Sequence, residues 1–316
     1  MPILSKSKEF EKGVIFLIGA AFAWSWPAVM IRILRADFDI FTQSFFRYIG
    51  ASVFLFAIGL TFTRKRMIHA AINFKMLLIP SIIMAIHQVF FTAGVCMTSA
   101  VVSSLVGRLN AIMIPFLSFI FYADERLIVK NKSFLLGSFL ALVGVSGVIL
   151  GKGGLDAGEF NHGFLFVMFG TLAWSVYAVY IKKLIRSLDP LAIISYVSLF
   201  ALAIFLPLTL KFGNLSSINE VSIGTKFLLF GSGILGIGVG NVFYYHGVKH
   251  VGTSISSIFF LLLPFSVGIL AFVILGETLT ITQIAFGLLS IVGCWIVTAL
   301  AKPKPANIEQ ETETPE

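Results

Sequence analysis

An all-α polytopic membrane protein of ten transmembrane helices, built as two inverted-topology five-helix repeats, is the fold class this sequence predicts. Three observations predict it. Hydrophobic residues make up 58% of the 316 and charged residues only 12%, with a mean hydropathy of +0.97; soluble chains sit near a quarter charged. Ten apolar stretches have the length needed to cross a bilayer. Finally, the stretch Gly13–Leu34 returns 150 residues later as Gly163–Leu184, with nine identities in 22 ungapped positions.

A chain this apolar must satisfy its backbone polar groups inside lipid, and helices do so segment by segment. The expected spans are Gly13–Ile31, Phe41–Thr61, Met76–Val95, Ala100–Phe121, Phe134–Leu150, Gly163–Ile181, Leu191–Leu210, Phe227–Gly247, Thr253–Gly276 and Ile281–Ala301. The third and fourth are joined only by Cys96–Ser99, a tight hairpin. Ala21, Phe22 and Ala23 loosely resemble a leader cleavage site, but the apolar run continues to Ile31 and its internal copy cannot be a signal, so the first span is retained. The organisation is then residues 1–12 as an N-terminal arm, 13–150 as the first repeat, 151–162 as a linker, 163–301 as the second repeat, and 302–316 as a polar, disordered tail.

Charge sets the orientation. Sixteen of the 23 Lys and Arg residues fall in the terminal segments and the connections on one side of the membrane, and five (Arg32, Arg35, Lys152, Lys211 and Lys226) in those on the other. The positive-inside rule puts both termini in the cytoplasm, in a plasma or inner membrane. The net charge of +8 lies in short clusters between apolar runs, a topology signal rather than a nucleic-acid surface. Cys96 and Cys294 both sit in apolar runs, so no disulfide framework is expected. Helix parity adds the symmetry. Each repeat holds five spans, an odd number, so the second copy enters the membrane from the opposite face. An inverted pair of this kind can expose one midplane site to either side in turn.

The two first spans carry Ala23, Trp24 and Ser25, then Ala173, Trp174 and Ser175; the two fourth spans end at Glu125 and Glu277. Small residues precede those acids (Ser103 and Ser104, Ser256 and Ser257), and glycines mark the last spans (Gly137 and Gly144, Gly287 and Gly293). In these marks the chain resembles the EamA-type members of the drug/metabolite transporter superfamily over Gly13–Ala301. The two halves differ at one point: Pro264 precedes Glu277 by 13 residues, whereas Pro115 precedes Glu125 by only 10. Pro264 therefore marks a helix break whose counterpart in the first repeat is displaced by about a turn. The resemblance implies transport, with export or exchange as the favoured direction.

Within the spans, the polar and aromatic residues are the candidates for a site. Arg108 lies near the centre of the fourth span, where a charge is costly and a guanidinium fork suits a carboxylate or phosphate. The structural alternative is satisfaction by backbone carbonyls and Asn110. Arg47 lies some six residues inside the second span, where snorkelling toward Asp37 or Asp39 is the first expectation. His87, mid-span, can hydrogen-bond substrate or carry a proton, or can simply be a hydrogen-bonded packing residue. Trp24 precedes Pro27, a second helix break, and Trp174 and Tyr177 occupy the matching place in the second copy, Tyr177 aligning with Pro27. Midplane aromatics suit a cavity that encloses an organic body, although packing alone accounts for any one ring. The eighth span holds a formal G-x-G-x-x-G, but inside a membrane helix it is no dinucleotide loop. Ser232, Gly236 and Gly240, spaced by four, allow close helix contact, and Asn241 and Tyr244 follow with hydrogen-bonding groups.

The expectation is a secondary active transporter, not an enzyme, for a small organic metabolite, anionic or zwitterionic, such as an amino acid. Arg108 meets the acid group, His87, Asn110, Asn241 and Tyr244 supply hydrogen bonds, and Trp24, Trp174 and Tyr177 enclose the organic part. The partners expected are that substrate and the lipid bilayer, with no nucleic acid, no metal and no cofactor. Coupling to a proton or counter-substrate, and the oligomeric state, stay open. The rival readings are a broad multidrug exporter and, further off, a membrane enzyme or lipid-handling protein.

Overall fold

The structure, a computed structural model, describes residues 2–97, 106–150, 162–275 and 280–300. Among these every regular element is helical. In chain order they are α1 (Pro2–Leu34), α2 (Ile40–Phe62), α3 (Arg64–Ile72), α4 (Lys75–Met97), α5 (Asn110–Phe121), α6 (Ala123–Val129), α7 (Lys132–Leu150), α8 (His162–Ile185) and α9 (Pro190–Phe212). The eighth span is composite: α10 (Ile223–Gly233), a π-helical stretch Ile234–Gly240, and α11 (Asn241–Val251). The ninth is also composite, with α12 (Thr253–Ile258), a 3-10 turn Phe259–Leu262 and α13 (Leu263–Leu275); α14 (Ile281–Leu300) closes the described chain. Among the described residues, seven helices are long and apolar enough to cross a membrane, or eight if the bent pair Ala123–Val129 and Lys132–Val148 is one span. Of the hairpin expected at Cys96–Ser99, Cys96 and Met97 continue the helix of α4 and residues 98–99 lie outside the described residues, as do the linker 151–162 up to its last residue, Ser103, Ser104, Glu277 and the tail. So does the side chain of Pro27, although the helical backbone of α1 runs through it.

Local sequence explains where the spans start. Asp39 caps α2, its Oδ1 accepting from Phe41 N and Thr42 N at 2.9 Å each. Its copy 150 residues on, Asp189, caps α9 in the same way, with Pro190 at the first turn where no N–H is needed. The short α3 after α2 is not foreseen by hydropathy, because RKRMIHAAI has too few apolar residues to register as a span.

Packing exchanges the repeats. α1 lies along α11, α4 along α8, α2 along α9, and α7 along α14, so that spans 1 and 8, 3 and 6, 2 and 7, and 5 and 10 are partners. That pattern is unchanged when the two repeats are swapped, as a pseudo-two-fold requires. Small residues make it possible. A Cβ on Gly170 would meet Phe91 N at 2.7 Å, and one on Gly137 would meet Gly293 O at 2.7 Å.

Burial is inverted relative to a soluble protein. Ser25, Ser81, Ser118, Thr171, Ser175, Ser195 and Ser232 are buried, while Val53, Leu60, Phe116, Phe139, Leu210 and Val273 project outward. Hydroxyls inside and hydrocarbon outside are stable only in lipid, which solvates the apolar surface and leaves polar groups to pair within the bundle.

Candidate functional site

The two copied tryptophans meet. Trp24 of α1 and Trp174 of α8 pack edge to face with ring centroids 5.8 Å apart. Phe260, in the 3-10 turn, stacks on Trp24 at 5.1 Å and 10°, and Tyr244 of α11 closes the cluster at 5.4 Å from both Trp24 and Phe260. His87 of α4 lies 5.0 Å from Trp174, and Tyr177 lies 5.4 Å from it on the same face of α8. Spans 1, 3, 6, 8 and 9 thus converge on one aromatic cage drawn from both repeats.

The breaks in spans 8 and 9 supply its polar atoms. Within the π-helical stretch the Gly236 carbonyl accepts from Trp24 Nε1 at 2.9 Å and from Asn241 Nδ2 at 3.3 Å. Gly240 allows the approach, since a Cβ there would collide with the Trp24 indole. In span 9, Pro264 has no N–H to donate to the carbonyl four residues back, that of Phe260. The Leu263 N–H donates to it instead in the 3-10 turn, and Arg108 Nη1 adds a second bond at 2.6 Å. The break at Pro264, the cage wall at Phe260 and the mid-membrane charge are one local solution.

Other candidates are engaged inside the protein. His87 Nδ1 bonds the Gly170 carbonyl at 2.8 Å, and as the donor it leaves Nε2 as an acceptor. Asn110 Oδ1 accepts from Ser175 Oγ at 2.9 Å, and the hydroxyls of Tyr177 and Tyr245 bond each other. By contrast Trp174 Nε1, Tyr244 OH and Asn241 Oδ1 are buried without any hydrogen-bond partner. The crevice beside the cage, lined by Ala20, Ala21, Trp24, Tyr244, Ser256 and Phe260, is too narrow for a water molecule.

Known proteins place this architecture. A solved crystal structure superposes with a TM-score of 0.71, covering 92% of this chain and 98% of its own, at 18% identity, which establishes the fold alone. An uncharacterized transporter of Haemophilus influenzae is 27% identical over 70% of this chain and 73% of its own length. The uncharacterized transporter YetK of Bacillus subtilis is 25% identical over 93% and 89%. The EamA-like transporter family model matches twice, over residues 11–150 and 161–299.

The chain belongs to the EamA-like transporter family.

In this EamA-like transporter one end of the bundle carries an open cleft of about 810 Å³, lined among others by Lys65, Arg66, Lys182, Arg186 and Lys249. All five belong to the larger of the two basic sets counted in the sequence, and Phe10 of the N-terminal arm lines it too. From Trp174 to Lys182 is eight residues of α8, about 12 Å of helix between cage and cleft. In the cleft wall Lys182 Nζ bonds both Asp124 Oδ2 and Glu125 Oε1 at 2.6 Å. Glu125 is fully buried and caps α12, accepting from Thr253 N at 2.8 Å, Thr253 Oγ1 at 3.0 Å and Ser254 N at 3.2 Å. Gly252 turns the chain there with φ +84°, and a Cβ would press on the same carboxylate. Burial pushes the Asp124 carboxyl up, but the Lys182 hydrogen bond and charge, with Arg186 behind, bring it below its ordinary value.

This cluster ties the first repeat to the second. Sequence reading places every carboxylate in loops, termini or helix ends, and Glu125 is indeed at a helix end. Its complete burial comes from Lys182 and Thr253, 57 and 128 residues away. Phe260 also escapes a sequence reading, although the proline four residues later deprives its carbonyl of the usual α-helical donor. Arg47 departs from the snorkelling expectation. It is only 5% exposed, and Asp39 is spent on Phe41, Thr42 and Asn214.

Proposed function

We propose that this protein is a secondary active transporter that carries a small organic metabolite with an acidic group, such as an amino acid, by alternating access. One observation carries the substrate side: Trp174 Nε1, Tyr244 OH and Asn241 Oδ1 are unpaired and buried around one aromatic cage. Leaving such groups unsatisfied is costly, and a substrate with an apolar body and polar edges satisfies them when it enters. The mechanism draws on the pseudo-two-fold packing, the open cleft at the basic end and the shut crevice at the cage. Opening the cleft inward to the cage, and closing it against an opening at the other end, alternates access. Arg108 braces the Pro264 break beside the cage and brings a positive charge to its wall. The basic end is the cytoplasmic one by the positive-inside rule, and export or exchange is the direction.

The test is uptake of radiolabelled amino and organic acids into proteoliposomes, with Tyr244→Phe and Trp174→Phe beside the wild type. Removing an unpaired buried group leaves the empty protein at least as stable, while KM for the transported acid rises. Wild-type KM in both variants sinks the cage as the binding site. Saturable uptake of chemically unrelated compounds alike assigns the protein instead to broad-specificity export.

A further inference from the structure

Gln43 and Arg47 lie one turn apart on α2 and are 4% and 5% exposed. Gln43 Nε2 and Arg47 Nε are buried without hydrogen-bond partners, and no carboxylate pairs with Arg47 among the described residues. A buried guanidinium with an unpaired Nε–H and no counter-charge is a large desolvation cost for a fold to carry.

The internal repeat provides a control. α9 starts at Asp189 as α2 starts at Asp39, 150 residues apart, so Ile193 and Val197 stand where Gln43 and Arg47 stand. Both are fully buried in the core. The same helix position is thus filled by hydrocarbon in the second copy, and packing does not call for the polar pair. Their place relative to the cage is close. A Cβ on Gly233 would run into the Arg47 backbone, and three residues on, the Gly236 carbonyl holds Trp24. The polar pair and the cage are therefore separated by about one turn of the eighth span.

We infer that Gln43 and Arg47 form an oxyanion-binding locus, taking the carboxylate or phosphate of a substrate whose organic body occupies the cage. The guanidinium offers a fork of N–H donors matched to two oxygens, and the Gln43 amide adds a third donor. This rests on the transport reading above and moves the recognition of the acid from Arg108 to Arg47. The oxyanion belongs to a solute rather than a lipid headgroup: Arg47 is seven residues into α2, about 10 Å from its start, and turned into the bundle.

The experiment uses purified full-length protein in phosphatidylcholine nanodiscs. Thermal unfolding is read in sodium chloride and, at equal ionic strength, in sodium benzoate or sodium phosphate. Benzoate is chosen because its ring suits an aromatic cage. In chloride, Arg47→Val unfolds no lower than wild type, as Val197 predicts. Benzoate or phosphate raises the wild-type midpoint above its chloride value. Arg47→Val loses that gain, and Arg47→Lys, which keeps charge but not the fork, binds roughly tenfold more weakly. The inference is overturned if Arg47→Val is destabilised in chloride, if neither anion outperforms chloride on the wild type, or if the variants keep the full gain. It is equally overturned if phosphatidylglycerol in place of phosphatidylcholine abolishes the solute's gain, which assigns the locus to a headgroup. Arg47-dependent stabilisation with no saturable uptake in proteoliposomes keeps the locus and removes the transport reading. Acid uptake by Arg47→Val equal to wild type does the reverse.

Discussion

Lys182→Met tests whether the cluster at the basic end is a gate. The substitution removes the cation from a carboxylate that is fully buried and leaves Glu125 with three neutral donors, Thr253 N, Thr253 Oγ1 and Ser254 N. Removing one partner of a buried pair costs about 3–5 kcal/mol. The three remaining donors place this case near the lower end, about 3 kcal/mol, or roughly a hundredfold in a population. A protein that can open at this end escapes the cost by opening, because Glu125 is then solvated. The assay is a double-mutant cycle of Lys182→Met and Glu125→Gln, read by unfolding. Its companion is labelling of a cysteine placed at Ser256, which is 1% exposed and lines the crevice at the cage. The single variants are each destabilised and label faster, and the double variant recovers much of the loss because no lone charge remains. Additive single effects with unchanged labelling at position 256 refute the gate.

Other expectations follow from the same contacts. Gly233→Ala drives a Cβ into the Arg47 backbone, which has no rotamer with which to yield, and costs about 1–3 kcal/mol. Gly231→Ala, two residues away, meets nothing within 4 Å and is neutral or stabilising, so equal melting shifts for the two would refute the packing of α2 on α10. Asp39→Ala removes the cap of α2 and costs about 0.5–2 kcal/mol in unfolding experiments. Burial pushes the Asp39 carboxyl up, but the Thr42 hydroxyl and the N–H groups of Thr42, Asn214 and Phe41 outweigh it and hold it below its ordinary value of 3.8. A depressed carboxyl contributes stability above its unfolded value and loses it as pH falls through the folded one. The gap between wild type and Asp39→Ala therefore closes only on the acid side of about pH 3.9, and a gap that persists there unchanged would argue against the cap.

Much of the architecture is readable from residues alone. The repeat of Gly13–Leu34 at Gly163–Leu184 identifies Trp24 and Trp174 as counterparts, and the structure packs them together. The spacing of Pro264 foresees a break, and a 3-10 turn stands just before it. His87, read as mid-span, and Asn241 and Tyr244, read as following the small-residue stretch of the eighth span, lie in or beside the cage. Sequence reasoning does not reach Phe260, one of many phenylalanines, until its carbonyl is seen facing Arg108. It weighs Arg47 and Arg108 by depth in their spans, and depth ranks them differently from their partners. Arg108 bonds a carbonyl that the proline deprives of its α-helical donor, whereas Arg47 is buried and makes no ion pair with the aspartates near it in sequence.

Hydrophobic length, charge in the connections and helix parity are local or additive properties, which is why a helical membrane protein made of two inverted repeats can be read from the residues in order. Lipid solvates every apolar residue alike, so the order of the chain is enough to mark out its apolar spans. Which buried polar atoms find partners depends on distances of about 3 Å between helices that are far apart in the chain. The Glu125–Thr253 and Arg108–Phe260 contacts span 128 and 152 residues, so they emerge only once the helices are packed. The same reason leaves Arg47, Trp174 and Tyr244 with unpaired groups that no periodicity or composition could have revealed.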